Sequence, residues 1–94
     1  MGAVRMTEDR IQLIARALAD PRRLDLLRRI GRSSDTARCS DLLCSAGVTA
    51  ATLSHHMKEL EIAGLVEAER EGRTVTYRLR RNVLEQYLAN LAKI

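Results

Sequence analysis

Gly47-Val-Thr-Ala-Ala-Thr-Leu-Ser-His-His-Met-Lys-Glu-Leu-Glu-Ile-Ala-Gly-Leu-Val66 is the stretch that decides the fold. Gly47 marks a turn and Thr49 is a good N-cap; the helix it opens runs to about Ala63, where Gly64 stops it. On that helix Leu53, His56, Met57 and Leu60 share one side, while Ala51, Ser54, His55 and Lys58 share the other. The first set is expected to pack inward. The second offers small polar groups and a cation near the N-terminal end. A helix that enters the major groove of double-stranded DNA needs this division, with low bulk for close approach and hydrogen-bonding groups over base edges. Its N-terminus also suits a phosphate. Just upstream, Ser40 or a neighbour opens a shorter helix carrying Leu42 and Leu43, so residues of about 40–63 read as helix, turn, helix.

Beyond Gly64 the apolar period drops from that of a helix to that of a strand. Val66 and Ala68, then Val75, Tyr77 and Leu79, alternate with charged or polar residues on either side of Glu71-Gly72-Arg73. This reads as a β-hairpin at about 65–80 with a charged tip. Arg70, Arg73 and Thr74 flank that tip, and Arg78, Arg80 and Arg81 follow it. A helix–turn–helix followed at once by a basic hairpin is a winged helix, whose wing reaches phosphates or the minor groove. Glu67, Glu69 and Glu71 temper the basic signal, since they alternate along the same hairpin.

Flanking helices complete the pattern. Thr7 caps a first helix at about 8–19, with Glu8 and Asp9 at its positive end and Ile11, Ile14, Ala15 and Leu18 along one face. Asp20-Pro21 opens a second, with Leu24, Leu27 and Ile30 as its stripe and Gly31 as its stop. Residues 31–36 read as a loop by composition. Asn82, with Glu85 three residues later, resembles a capping box for a last helix at about 82–93, whose apolar positions are Val83, Leu84, Tyr87, Leu88 and Leu91. The expected fold is therefore mainly α with a small β-hairpin: four helices, the wing, and a fifth helix.

The chain has 94 residues, the size of one domain. Aromatic residues are only 2%, with two Tyr, no Phe and no Trp, so the core must be aliphatic. The same shortage argues against modules that stack single-stranded bases on rings. A net charge of +4 and a pI near 9.7 agree with a polyanionic partner without selecting one. No apolar run approaches a membrane span and no signal-peptide pattern opens the chain, which points to a cytoplasmic protein without membrane partners. Gly2 lacks the Ser or Thr that a myristoylation signal requires, since Met6 stands in that place. Cys39 and Cys44 are too few for a disulfide scaffold and, five apart on a helix, point to different sides.

Four segments together resemble the ArsR/SmtB family of small dimeric bacterial repressors. They are Asp20-Pro-Arg-Arg-Leu-Asp-Leu-Leu27, Ala51-Thr-Leu-Ser-His-His-Met-Lys-Glu-Leu60, Ala63-Gly-Leu-Val66 and Glu71-Gly-Arg-Thr-Val-Thr-Tyr-Arg-Leu79. The resemblance runs in order from about residue 8 to 92 and implies a winged helix–turn–helix dimerised through its first and last helices. It places Ser54 and His55 on the DNA-facing side and makes His56 a largely structural histidine. Ile11, Ile14 and Leu18, with Leu84, Tyr87, Leu88 and Leu91, supply more apolar surface than a small core needs, which agrees with a homodimer.

Relatives of this kind often sense metals or metalloids. The arsenical type carries Cys-x-Cys-Asp-Leu at the third helix; here Arg38-Cys-Ser-Asp-Leu42 keeps only Asp41 and Leu42, with Cys39 between the two cysteine positions. The zinc type draws on Asp, His and Glu of the last helix, where residues 82–94 offer only Glu85. No metal site or cofactor is therefore expected. Cys39 and Cys44 are read first as small buried apolar side chains and second as redox thiols; a thiolate site shared between subunits is a further alternative. The leading functional reading is a sequence-specific regulator that contacts a palindromic DNA operator through Thr49, Ala51, Ser54, His55, Lys58, Arg70, Arg73 and Thr74. An unidentified small effector or redox signal would release it. The competing readings are a thiol-based metalloid sensor of the same family and a winged-helix protein-interaction module, which would want an apolar outer face on the helix after Thr49. An enzyme is the weakest, since the sequence carries no nucleophile–base pair, Gly-rich phosphate loop or ligand cluster.

Overall fold

The computed structural model describes residues 5–94; residues 1–4, Gly2 among them, lie outside the described residues. The order is α1 (Glu8–Leu18), α2 (Pro21–Arg32), β1 (Thr36–Arg38), α3 (Cys39–Ala46), α4 (Ala50–Ile62), β2 (Val66–Glu71), β3 (Thr74–Leu79) and α5 (Arg81–Ala92). Among the described residues no helix is long and apolar enough to cross a membrane.

Three helices begin where their caps require. The Thr7 hydroxyl accepts the Arg10 N–H at 3.2 Å, the Asp20 carboxylate accepts the Arg22 N–H at 2.8 Å, and the Thr49 hydroxyl accepts the Thr52 N–H at 3.1 Å. The bond from Arg22 also holds the Asp20 carboxyl below the usual carboxylate range. At the far end of α4, Gly64 takes φ +80°. Its N–H bonds Glu61 O at 2.9 Å and the Leu65 N–H reaches Leu60 O at 3.0 Å, the paired closure of a Schellman motif. Leu60 and Leu65, which bracket that closure, are both fully buried.

The hairpin is part of a larger sheet. β3 lies in the middle of three antiparallel strands ordered β1-β3-β2, with Thr36 opposite Arg78, Ala37 opposite Tyr77 and Arg38 opposite Thr76. The third strand, which the sequence reading did not include, starts at Thr36, the last residue of the stretch read as a loop. Gly31 does not stop α2, which continues to Arg32. The chain reverses instead at Ser34 and Asp35, both left-handed at φ +57° and +66°. Asp35 is fixed there from two directions: its carbonyl accepts the Leu79 N–H at 2.8 Å, and its carboxylate takes two bonds from Arg81 at 2.7 and 2.8 Å. Arg81 holds that carboxyl below its usual range.

The sheet also sets two helix starts, that of α3 beside Ser40 as expected and that of α5 against the expected Asn82 cap. α3 begins at Cys39, one residue before Ser40, where β1 leaves the sheet. α5 begins at Arg81, and Asn82 lies inside its first turn with no side-chain cap formed. The Arg80 N–H bonds Leu65 O at 2.8 Å, so the exit from β3 fixes where the helix starts.

The core is aliphatic, with Ile14, Leu26, Ile30, Leu53, Met57, Leu60, Leu65 and Val83 fully buried. This corrects the interface expectation at two positions. Ile14 is 0% exposed and Tyr87 is 8% exposed, so both pack inside the subunit and have almost no surface to offer a partner. Ile11, Leu18 and Leu84 are half-buried against the same core. Leu88 and Leu91 are exposed, together with Leu13, which the periodicity of α1 did not single out.

Candidate nucleic-acid interface

Gly47 joins α3 to α4 at φ +67°, and nothing lies within 4 Å of where a Cβ would project. Backbone conformation, not space, is what calls for glycine here. Thr49 then opens α4, its hydroxyl also hydrogen-bonded to that of Thr52 at 2.9 Å. The two faces of α4 divide as its sequence requires: Leu53, His56, Met57 and Leu60 are buried, while Ala51, Ser54, His55 and Lys58 are exposed. The exposed face therefore begins beside the positive end of the helix dipole.

His56 is only 4% exposed, and its Nδ1 is buried without a hydrogen-bond partner. It is a core histidine, but not the hydrogen-bonded one that a structural role suggests. Burial pushes its pKa below the ordinary histidine value, with the Asp20 carboxylate opposing part of that shift. Its ring centroid lies 5.6 Å from that of His55, with the planes tilted by 54°.

At the wing tip Gly72 has φ +59° and Arg73 does not take positive φ, the pattern of a II′-type turn with glycine first. The arginines around it are not equivalent. Arg78 lies 2.6 Å from Glu69, Arg80 lies 3.9 Å from Glu67, and Arg70 lies 3.7 Å from Glu61 of α4. Two of the alternating glutamates, Glu67 and Glu69, are thus partners of hairpin arginines, while Arg70 is paired from α4. Arg73, at the tip, makes no ion pair among the described residues. Thr74 beside it is exposed.

A cleft at the tip brings Arg73 and Thr74 together with Arg38, Cys39, Ser40 and Leu43. Arg38 is the cation that sequence reasoning missed. It is distant in the chain and arrives through the pairing of β1 with β3, so no local pattern marks it. Of the two thiols, Cys39 is half-buried and Cys44 is exposed, which corrects the reading of Cys44 as a buried apolar group. Both sit on α3 five residues apart, about 140° around the helix by its period.

A profile for a helix-turn-helix domain matches residues 18–69, from the end of α1 to the wing. The HTH-type transcriptional regulator CmtR of Mycobacterium tuberculosis is 33% identical over 89 residues, covering 95% of this chain and 74% of that protein. An ArsR-like transcriptional regulator from Rhodococcus sp. RHA1 superimposes with a TM-score of 0.80 at 26% identity, over 90% of this chain and 78% of the other. The chain belongs to the ArsR family. It is a transcriptional regulator with a winged helix-turn-helix DNA-binding domain. The same fold is seen in a homodimeric winged helix-turn-helix domain from Mycobacterium bovis, with a TM-score of 0.73 at 24% identity, over 95% of this chain and 87% of that one. In this ArsR-family regulator α4 is the second helix of the motif, and β2 and β3 form the wing beside it. Glu61 and Arg70 join the two across their junction.

Proposed function

We propose that this regulator is a homodimeric repressor that binds a palindromic operator and leaves it when an effector binds. The observation that carries the reading is the exposed face of α4, where Ala51, Ser54, His55 and Lys58 follow directly from the capped end at Thr49. Ser54 and His55 read base edges, while the α4 N-terminus, Lys58, Arg70, Arg73 and Thr74 engage phosphates or the minor groove. Over its N-terminal turns that face is polar, the opposite of what a protein-docking helix would present there; the exposed apolar side chain on it, Ile62, stands at the C-terminal end.

Support for the dimer comes from Leu13, Leu88 and Leu91, apolar side chains 38–54% exposed on α1 and α5. Pairing them across a two-fold axis removes them from water and sets two copies of α4 about 34 Å apart, or a multiple of that, to match successive turns of DNA. The work is cytoplasmic, where a bacterial regulator meets its operator. The metalloid-sensor alternative is disfavoured within one subunit, since Cys39 turns toward the core while Cys44 is exposed on another side of α3.

The test is Ser54→Ala combined with His55→Ala, titrated against operator and random duplex at one salt concentration. Specific binding should weaken by about 1–3 kcal/mol per lost base contact while non-specific affinity holds. Equal loss on both DNAs would show that these side chains do not read sequence.

A further inference from the structure

A groove of about 320 Å³ opens on the side of the molecule formed by the end of α1, α2, the end of β3 and the start of α5. Each element contributes a leucine to its lining, Leu18, Leu27, Leu79 and Leu84, of which Leu18 and Leu84 are also positions expected at the dimer interface. The remaining charged groups there are all guanidinium: Arg28, Arg32 and Arg81. No carboxylate lines it. Arg28 and Arg32 stand four residues apart on one face of α2, where like charges repel, and neither makes an ion pair among the described residues. Its chemistry is apolar below and cationic at the rim.

Gly31 supplies part of that space. It lies inside α2, where glycine weakens a helix, and its φ is not the left-handed one that would demand glycine. A Cβ there would meet Arg81 Nη2 at 3.4 Å and Leu79 Cδ2 at 3.7 Å. Alanine therefore fits with little adjustment, whereas a longer side chain would occupy the groove. Arg81 is the rim cation already engaged, through its paired bonds to Asp35. Asp35 in turn hands the left-handed turn after α2 to β1, at the margin of the wing sheet.

We propose that this groove binds a small organic anion with an apolar body, the body resting on the leucines and the head group on Arg28, Arg32 and Arg81. The head group competes with Asp35 for Arg81, which connects occupancy to the turn that anchors β1. As an effector site the groove rests on the regulator reading above; as a binding site it does not.

The experiment titrates the whole chain with 1-anilinonaphthalene-8-sulfonate, an apolar sulfonate, and then displaces the dye with decanoate or decanol. One dye should bind per chain, and decanoate should displace it at a concentration at least about tenfold lower than decanol requires. Arg28→Ala with Arg32→Ala should erase that preference. Asp35→Asn should tighten decanoate binding several-fold by releasing Arg81. Gly31→Leu should abolish dye binding with the circular dichroism of the folded chain retained, and Gly31→Ala should preserve it. Equal competition by decanol, decanoate affinity indifferent to all three charge changes, or normal dye binding in Gly31→Leu would each overturn the proposal. Dye binding that vanishes as the dimer forms would do so as well, since the second copy would then be the occupant. None of these readouts uses DNA, so failure here leaves the operator reading standing, and loss of operator binding leaves this one standing.

Discussion

Replacing Arg73 with alanine isolates the electrostatic contribution of the wing. Arg70, Arg78 and Arg80 each face a glutamate at 2.6–3.9 Å, whereas Arg73 has no such partner among the described residues. A guanidinium already neutralised by a carboxylate adds little counterion release when a phosphate approaches, while an unpaired one contributes in full. Each phosphate contact adds about 0.9 to the slope of log K against log salt, so two wings of a dimer contribute about 1.8. Over a fourfold rise in salt the wild type should therefore lose roughly twelvefold more affinity than Arg73→Ala does. Arg78→Ala is the control, because removing it also leaves Glu69 unpaired near the DNA without removing a free cation. Fluorescence anisotropy with a labelled duplex between 50 and 200 mM salt measures both slopes. An unchanged slope in Arg73→Ala, or an equal drop in Arg78→Ala, would refute the assignment of the tip arginine as the unpaired phosphate contact of the wing.

Three further outcomes follow from the fold. Thr49→Ala removes the cap on α4 and should lower stability by about 1 kcal/mol in urea denaturation; no change would mean that water replaces the hydroxyl without cost. Leu88→Glu with Leu91→Glu places charge on the exposed apolar face of α5, and should weaken dimerisation by roughly a hundredfold or more, with operator binding falling in parallel. Sedimentation of the unmodified protein as a monomer at micromolar concentration, with operator affinity intact, would count against the dimer. The His56 imidazole has a folded pKa below the ordinary histidine value of 6.5, so the unfolded chain takes up its proton first as pH falls. Stability contributed by the neutral ring is complete above that value and declines below it, toward the folded pKa. Urea midpoints should therefore drop as pH falls below about 6.5, and His56→Gln should flatten that part of the profile. The Asp20 and Asp35 carboxyls, held below their ordinary value of 3.8, act in a separate and more acidic window.

What could be read in the sequence was local. Thr7, Asp20 and Thr49 cap helices through contacts two or three residues away, and Gly64 closes α4 within one turn, so short windows contain the whole cause. The faces of α4 follow from its period alone. β1 was illegible because three residues carry no alternation, and its reason for being extended is β3, on the far side of two helices. Asn82 fails to cap α5 for the same reason, since the exit from β3 fixes where that helix starts. On α1 and α5 the apolar positions were correctly seen as a face, but periodicity does not say which residues the subunit keeps. Ile14 and Tyr87 are taken into the core, and Leu13 is left outside. At the candidate interface, composition showed the hairpin to be basic yet gave no means of separating Arg73 from its paired neighbours, because Glu61 meets Arg70 across the junction of helix and wing.

The strand order β1-β3-β2 leaves β2 with one unpaired rim of backbone groups. A second copy of the protein could add itself there as a further strand, which is how soluble sheets begin to aggregate. Glu67, Glu69, Arg70 and Glu71 make that rim costly to dock against, since a matching strand would bring like charges face to face. The glutamates that neutralise the hairpin arginines therefore have a second consequence, which concerns the crowded cell and not the operator. They keep the wing an end to the sheet, so that its strands do not run on into a neighbouring copy.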